Sequence, residues 1–147
     1  MITLTQLEHF IYINGKSQTL FYKRPNQILK FHISTAANGF GETENSFKTP
    51  RGWHYIRCII GKDQPTNTYY SSRRPVHHSD ISGRILWLHG LESNNKNSLK
   101  RYIYIHGTPQ PFSKKPSSKG CINMNNKDIE TLCQLITPYT KVYIDEN

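Results

Sequence analysis

The sequence predicts a mainly β protein, a β-sandwich-like arrangement of mixed sheets with one late α-helix. Three observations carry that prediction. Apolar residues recur with a period of two in short runs, turns bearing glycine or proline separate those runs, and only residues 127–136 carry a helical stripe. The 147 residues suit a single domain that needs no metal or disulfide staple. Three cysteines cannot all pair, and no Cys-x-x-Cys occurs, so neither a full disulfide framework nor a zinc knuckle is expected.

The elements follow in order. Residues 10–13 (Phe-Ile-Tyr-Ile) and 19–23 flank Asn14-Gly15, a strong hairpin signal. Residues 28–35 predict a third strand, followed by a glycine-rich loop over 37–52. Residues 53–60, 84–88, 102–105 and 141–144 read as further strands, separated by polar stretches at 62–82 and 92–100 that read as loops. The helix over 127–136 has Asn126 as its cap, Asp128 at its positive end, and Ile129, Leu132, Cys133 and Ile136 on one face, with Pro138 beyond it.

Nineteen Lys and Arg against ten Asp and Glu leave a formal charge of +9, which favours an anionic partner. The longest apolar run is four residues, so no membrane span is predicted. Residues 1–10 alternate polar and apolar without a signal-peptide core, so a cytoplasmic location is expected, with the periplasm or cell wall as the alternative if the sequence is part of a longer chain.

Cys58 and Cys133 fall in a strand and on the helix stripe, as small hydrophobes do. Cys121 differs. It follows Gly120 in Ser117-Ser118-Lys119-Gly120-Cys121-Ile122-Asn123, ahead of the helix. Small neighbours admit a carbonyl, the successive N–H groups of Lys119, Gly120 and Cys121 can converge on an oxyanion, and the Lys119 charge lowers a thiol pKa. His106, at the end of a strand and before Gly107, is the base of choice, brought onto Cys121 if the loop 108–117 folds back. His32 and His54 alternate within strands, His77 and His78 are adjacent, and His89 lies just past a strand; each is better read as surface or satisfied core.

These residues resemble a known family. His106-Gly107, then Ser118-Lys119-Gly120-Cys121-Ile122-Asn123, is similar to the signature of the L,D-transpeptidase catalytic domain (YkuD) family. Phe47-Lys48-Thr49-Pro50-Arg51-Gly52 resembles its Thr-Pro-x-Gly segment, and residues 84–88 and 101–109 resemble its strands. The likeness runs over roughly residues 7–145. It implies a β-sandwich-like mixed-sheet fold and attack on the bond between an L-centred residue (diaminopimelate or Lys) and D-Ala in peptidoglycan tetrapeptide stems. It implies Cys121 as nucleophile, His106 as base, the Gly107 carbonyl as the imidazole's orienter, and an oxyanion hole from Lys119, Gly120 and Cys121. Two departures stand out. Lys119 replaces the family's His or Arg, keeping charge but losing a planar donor, and the spacer between His106 and Ser118 is a short eleven residues.

Exported members crosslink stems, whereas lone-domain members without a leader resemble L,D-carboxypeptidases that trim tetrapeptides to tripeptides. The expected activity is therefore a carboxypeptidase of peptidoglycan recycling, with transpeptidation or D-amino-acid exchange as the alternative. Tyr104, Trp87 and Arg84 are the expected substrate contacts across the cleft, with Ser117, Ser118 and Asn123 around the nucleophile, although Trp87 and Tyr104 also suit a packed core. Muropeptides are the expected partners, the protein is expected to be a monomer, and no cofactor or metal is expected. A different class, a basic single-strand nucleic-acid binder, accommodates the seventeen aromatics and the pairs Lys23-Arg24, Arg73-Arg74 and Lys114-Lys115, but not His106 or Cys121. A zinc hydrolase lacks ligands at metal spacing.

Overall fold

The structure, a computed structural model, describes residues 9–109 and 115–147. Ten strands form one connected mixed sheet: β1 (Phe10–Asn14), β2 (Thr19–Arg24), β3 (Gln27–His32), β4 (Gly52–Ile60), β5 (Tyr69–Ser71), β6 (Arg74–Val76), β7 (Ile81–Gly90), β8 (Tyr104–Thr108), β9 (Ile122–Asn125) and β10 (Lys141–Asp145). Their order is β3-β2-β1-β10-β4-β7-β5-β6, with β8 added on β7 and β9 on β8. The pairs β1/β10 and β8/β9 are parallel and the rest antiparallel. The sheet curls until the segment after β3 meets β9: Ser34 bridges Asn123, and Ala36 bridges Ser118.

Period-two alternation gives the strands two different faces. Ile11, Ile13, Leu86, Leu88, Ile103, Ile105, Ile122, Met124, Val142 and Ile144 share the main core with the helix residues Ile129, Leu132 and Cys133. A second, smaller cluster holds Tyr70, Ile85 and Tyr104, with Ile60, Ile81, Trp87 and Cys121 packed against it. One strand thus serves both sides, with Leu86 and Leu88 of β7 facing the main core and Ile81, Ile85 and Trp87 the smaller cluster.

Three sequence expectations change. The polar stretch 62–82 is not a plain loop, since it contains the β5–β6 hairpin and the first residues of β7. Its two-residue turn, Ser72-Arg73, has φ of 48° and 65° and so takes the primed hairpin geometry without the Gly or Asn that announces it. The strand expected at 102–105 begins instead at Tyr104, because Tyr102 stands at φ 58°, outside the strand region. The helix, α1, spans Asn126–Cys133, and its cap is Asn125, whose Oδ1 accepts the Asp128 N–H at 2.8 Å. Of two adjacent asparagines, the one with extended backbone (ψ 157°) caps, and Ile136 is buried from the segment after the helix.

Candidate active site

His106 does not leave a strand edge; it sits inside β8 and is only 5% exposed. Strand alternation puts it on the same face as Tyr104, and parallel pairing sets it opposite Asn123, two residues past Cys121. Its Nδ1 lies 2.7 Å from the Gly107 carbonyl oxygen. A carbonyl only accepts, so Nδ1 carries the proton and Nε2 keeps the lone pair a base needs. Gly107 can be nothing larger. A Cβ there would fall 2.3 Å from Asn126 Oδ1 and 2.5 Å from the Ser82 carbonyl oxygen, where the start of α1 presses on β8.

Cys121 lies against the start of the same strand. Its sulfur accepts the Tyr104 N–H at 3.4 Å and donates to the Tyr102 carbonyl at 3.4 Å. The residue keeps partial exposure and packs against the Tyr70, Ile85 and Tyr104 cluster. Burial pushes the thiol up to about 11, against smaller lowering by the Tyr104 N–H and the Arg101 charge. Burial likewise takes His106 down to about 4, only partly offset by the Gly107 carbonyl and Asp80. Both groups are therefore neutral at rest. This corrects the expectation that Lys119 would favour a thiolate, since Arg101 is the cation acting on the sulfur. Iodoacetamide labelling of Cys121, followed by peptide mass mapping, will accelerate about tenfold per pH unit from pH 7 to pH 10. A rate already flat at pH 7 would mean a preformed thiolate.

The turn before the thiol is tied down from several sides. Gly120 stands at φ 129°, where a side chain is strained, and its carbonyl accepts the Thr49 hydroxyl at 2.9 Å. Thr49 is fully buried and its oxygen also takes the Ala36 N–H, so the Thr49-Pro50-Arg51-Gly52 segment fixes the nucleophile's turn. The Ser118 hydroxyl donates to the Cys121 carbonyl at 2.5 Å and accepts the Gly120 N–H at 3.1 Å. The Gly120 N–H expected in the oxyanion hole is thus held by Ser118 in this state. Ser117 is engaged too, its hydroxyl 2.7 Å from that of Ser34. Both serines brace the turn rather than face a ligand. Asn123 holds Ser34 through backbone hydrogen bonds at 2.8 and 2.9 Å, with its side chain half-buried.

Of the three expected cleft residues, two gather beside the thiol. Trp87 meets Tyr104 edge-on, with ring centroids 5.7 Å apart, and stacks on Tyr102 at 5.9 Å. Arg84 is elsewhere. Its guanidinium, 6% exposed, pairs with Glu130 of α1 at 3.3 Å and donates to the Gly83 carbonyl at 2.9 Å. The β7/β8 register shifts between Ser82 and Ile85, and the pairing with Glu130 makes Arg84 part of the helix-side packing. The sequence reading missed Arg73, which the hairpin carries onto the Trp87–Tyr102–Tyr104 cluster. The expected fold-back of loop 108–117 concerns residues 110–114, outside the described residues, as does Lys114.

A thiol set on the Tyr104 N–H and a singly protonated imidazole two residues along the same strand are the groups that acyl transfer uses. The family model for the L,D-transpeptidase catalytic domain matches residues 8–144. The chain belongs to the L,D-transpeptidase catalytic domain family. No curated protein matches it in sequence. Among solved structures it is similar to an L,D-transpeptidase mutant of Enterococcus faecium (14% identity, TM-score 0.62, covering 93% of this chain and 49% of that one). It is also similar to an L,D-transpeptidase from Mycobacterium smegmatis (14%, 0.61, 94% and 58%). A third is the L,D-transpeptidase from Xylanimonas cellulosilytica (15%, 0.59, 92% and 59%). At these identities the likeness is one of fold, and the chain spans only about half to three fifths of their length. Among the described residues no group of three or more His, Cys, Asp and Glu is placed to hold a metal, and no helix is long and apolar enough to cross a membrane.

Proposed function

We propose that this L,D-transpeptidase-family domain acts on peptidoglycan tetrapeptide stems, cleaving the amide between an L-centred third residue and D-Ala through a thioester on Cys121. The observation that carries this reading is the thiol seated on the first residue of β8 while His106, two residues on, has its Nδ1 proton committed to Gly107. In the first step Nε2 of His106 takes the thiol proton as Sγ bonds to the scissile carbonyl carbon. The protonated imidazole then gives that proton to the D-Ala nitrogen as the C–N bond breaks. In the second step the same nitrogen takes a proton from the acceptor, which displaces sulfur and regenerates the thiol. The acceptor we propose is water, giving a tripeptide.

The test is mass spectrometry of the protein with L-Ala-D-Glu-diaminopimelate-D-Ala and excess D-Met, beside Cys121→Ala. Tripeptide formed only by the unmodified protein is the expected result. A D-Met-exchanged tetrapeptide would replace water by an amine as acceptor, and turnover by Cys121→Ala would remove the thioester altogether.

A further inference from the structure

The face that carries Cys121 also carries a cation that the transfer step leaves unused. Arg73 sits at the tip of the β5–β6 hairpin, half-buried, in a turn whose two central residues both take left-handed backbone. Residues with a Cβ take this geometry only at an energetic cost. The strained turn sets the guanidinium carbon 4.6 Å from the Trp87 ring centroid and 5.5 Å from that of Tyr102, while Nη1 donates to the Tyr104 hydroxyl at 3.0 Å. Tyr102, which forms one wall, is itself left-handed at φ 58° and 55% exposed. Of five guanidinium N–H groups, one is committed to Tyr104. Among the described residues the ion pairs are Arg51 with Glu42 and Glu146, and Arg84 with Glu130, so no carboxylate answers Arg73. Arg101, the other cation near the site, already donates to the carbonyls of Lys48 and Gly41.

The cage and the nucleophile share their residues. The Tyr104 N–H touches the sulfur while its ring oxygen holds Arg73, and the Tyr102 carbonyl accepts from the thiol while its ring underlies Arg73. The cation is therefore held about one tyrosine side chain away from Sγ. A group attached directly to the scissile nitrogen's residue stays close to the sulfur and does not extend that far. The tip of a long side chain on the residue that supplies the attacked carbonyl does.

We propose that Arg73 is a specificity-determining residue that binds a carboxylate at the end of the acyl donor's side chain. It thereby selects a third residue of the diaminopimelate kind over one ending in an ammonium alone. This inference rests on the stem-cleaving reading above. The planar fork suits a carboxylate bidentately, and the aromatic walls fix its orientation so that little side-chain entropy is lost on binding. A lysine-type stem brings a like charge to the same place and is repelled.

Isothermal titration of the unmodified protein and of Arg73→Gln and Arg73→Lys tests this. The ligands are L-Ala-D-Glu-diaminopimelate, the same peptide amidated on its distal carboxyl, and L-Ala-D-Glu-Lys. The unmodified protein should bind the first about tenfold more tightly than the other two. Arg73→Gln should abolish that preference, and Arg73→Lys should keep part of it, with thermal melts confirming that both variants fold. Equal preference in Arg73→Gln, with cleavage of the tetrapeptide intact in the unmodified protein, would overturn the role of Arg73 and leave the cleavage reading standing. If the unmodified protein neither binds these stems nor cleaves the tetrapeptide, the substrate class itself is wrong, and this inference falls with it.

Discussion

His106→Gln should lower kcat/KM for stem cleavage by about a thousandfold, some 4 kcal/mol of transition-state stabilisation, while the protein still folds. The size of the effect follows from the resting state. With the thiol near 11 and the imidazole near 4, the pair holds its proton on sulfur over the whole physiological range. Sulfur becomes nucleophilic only as it gives up that proton, and the acceptor we propose is His106, two residues along β8 from Tyr104, whose N–H meets the sulfur. The pH profile separates loss of a base from general damage. In the unmodified protein kcat/KM should be flat from about pH 5 to pH 9 and fall only as His106 is protonated near pH 4. In His106→Gln the residual rate should instead climb about tenfold per pH unit, following the small thiolate fraction. Retention of a tenth of the activity, or a flat profile in the variant, would remove His106 as base.

How the site could be read from sequence depends on how far each residue stands from its own partners. Cys121 and His106 each carry a local signal in the sequence, a glycine beside a thiol and a β-prone run followed by His-Gly, and the pairing of β8 with β9 sets His106 opposite Asn123, two residues past Cys121. Gly107 and Gly120 were legible in kind, though the close approach of Asn126 to one and the positive φ of the other are visible only in the fold. Ser117 and Ser118 are expected from the sequence as substrate contacts around the nucleophile, but their hydroxyls are engaged by Ser34 and by the turn's own backbone, a competition that composition does not display. Arg84 is placed by its partner Glu130, 46 residues further along the chain and in no local pattern with it, and by a register shift in β7 between Ser82 and Ile85 that the sequence does not announce. Arg73 was not legible either. Its hairpin is short and polar, its turn lacks Gly and Asn, and only the pairing of β5 with β7 carries it across to Trp87.

Stability should fall steeply on mild acidification, well before the carboxylates titrate, and two histidines set the slope. His54 is fully buried, with Nδ1 at 3.1 Å from the Gly52 carbonyl oxygen and Nε2 at 2.9 Å from the Ser98 hydroxyl, and burial takes it down to about 4. His106 is lowered to the same value by the same cause. Unfolded, both imidazoles take a proton near pH 6.5; folded, neither does until about pH 4. Between those values the unfolded chain binds more protons, so stability rises with pH, is fully present above about 6.5, and is lost as pH falls toward 4. At 1.36 kcal/mol per pH unit, each histidine costs about 2 kcal/mol by pH 5, and the two together about 4, a large share of a typical 5–15 kcal/mol. Glu42, held below the usual carboxylate range by Arg51, contributes in the same direction but only at lower pH. Urea unfolding at pH 7.5, 6 and 5 should show this loss, and His106→Gln should show about half of it, because only His54 then titrates in the window. An unchanged slope in the variant would mean that His106 is not held neutral in the folded protein, and the base assignment and the acid limb would fail together.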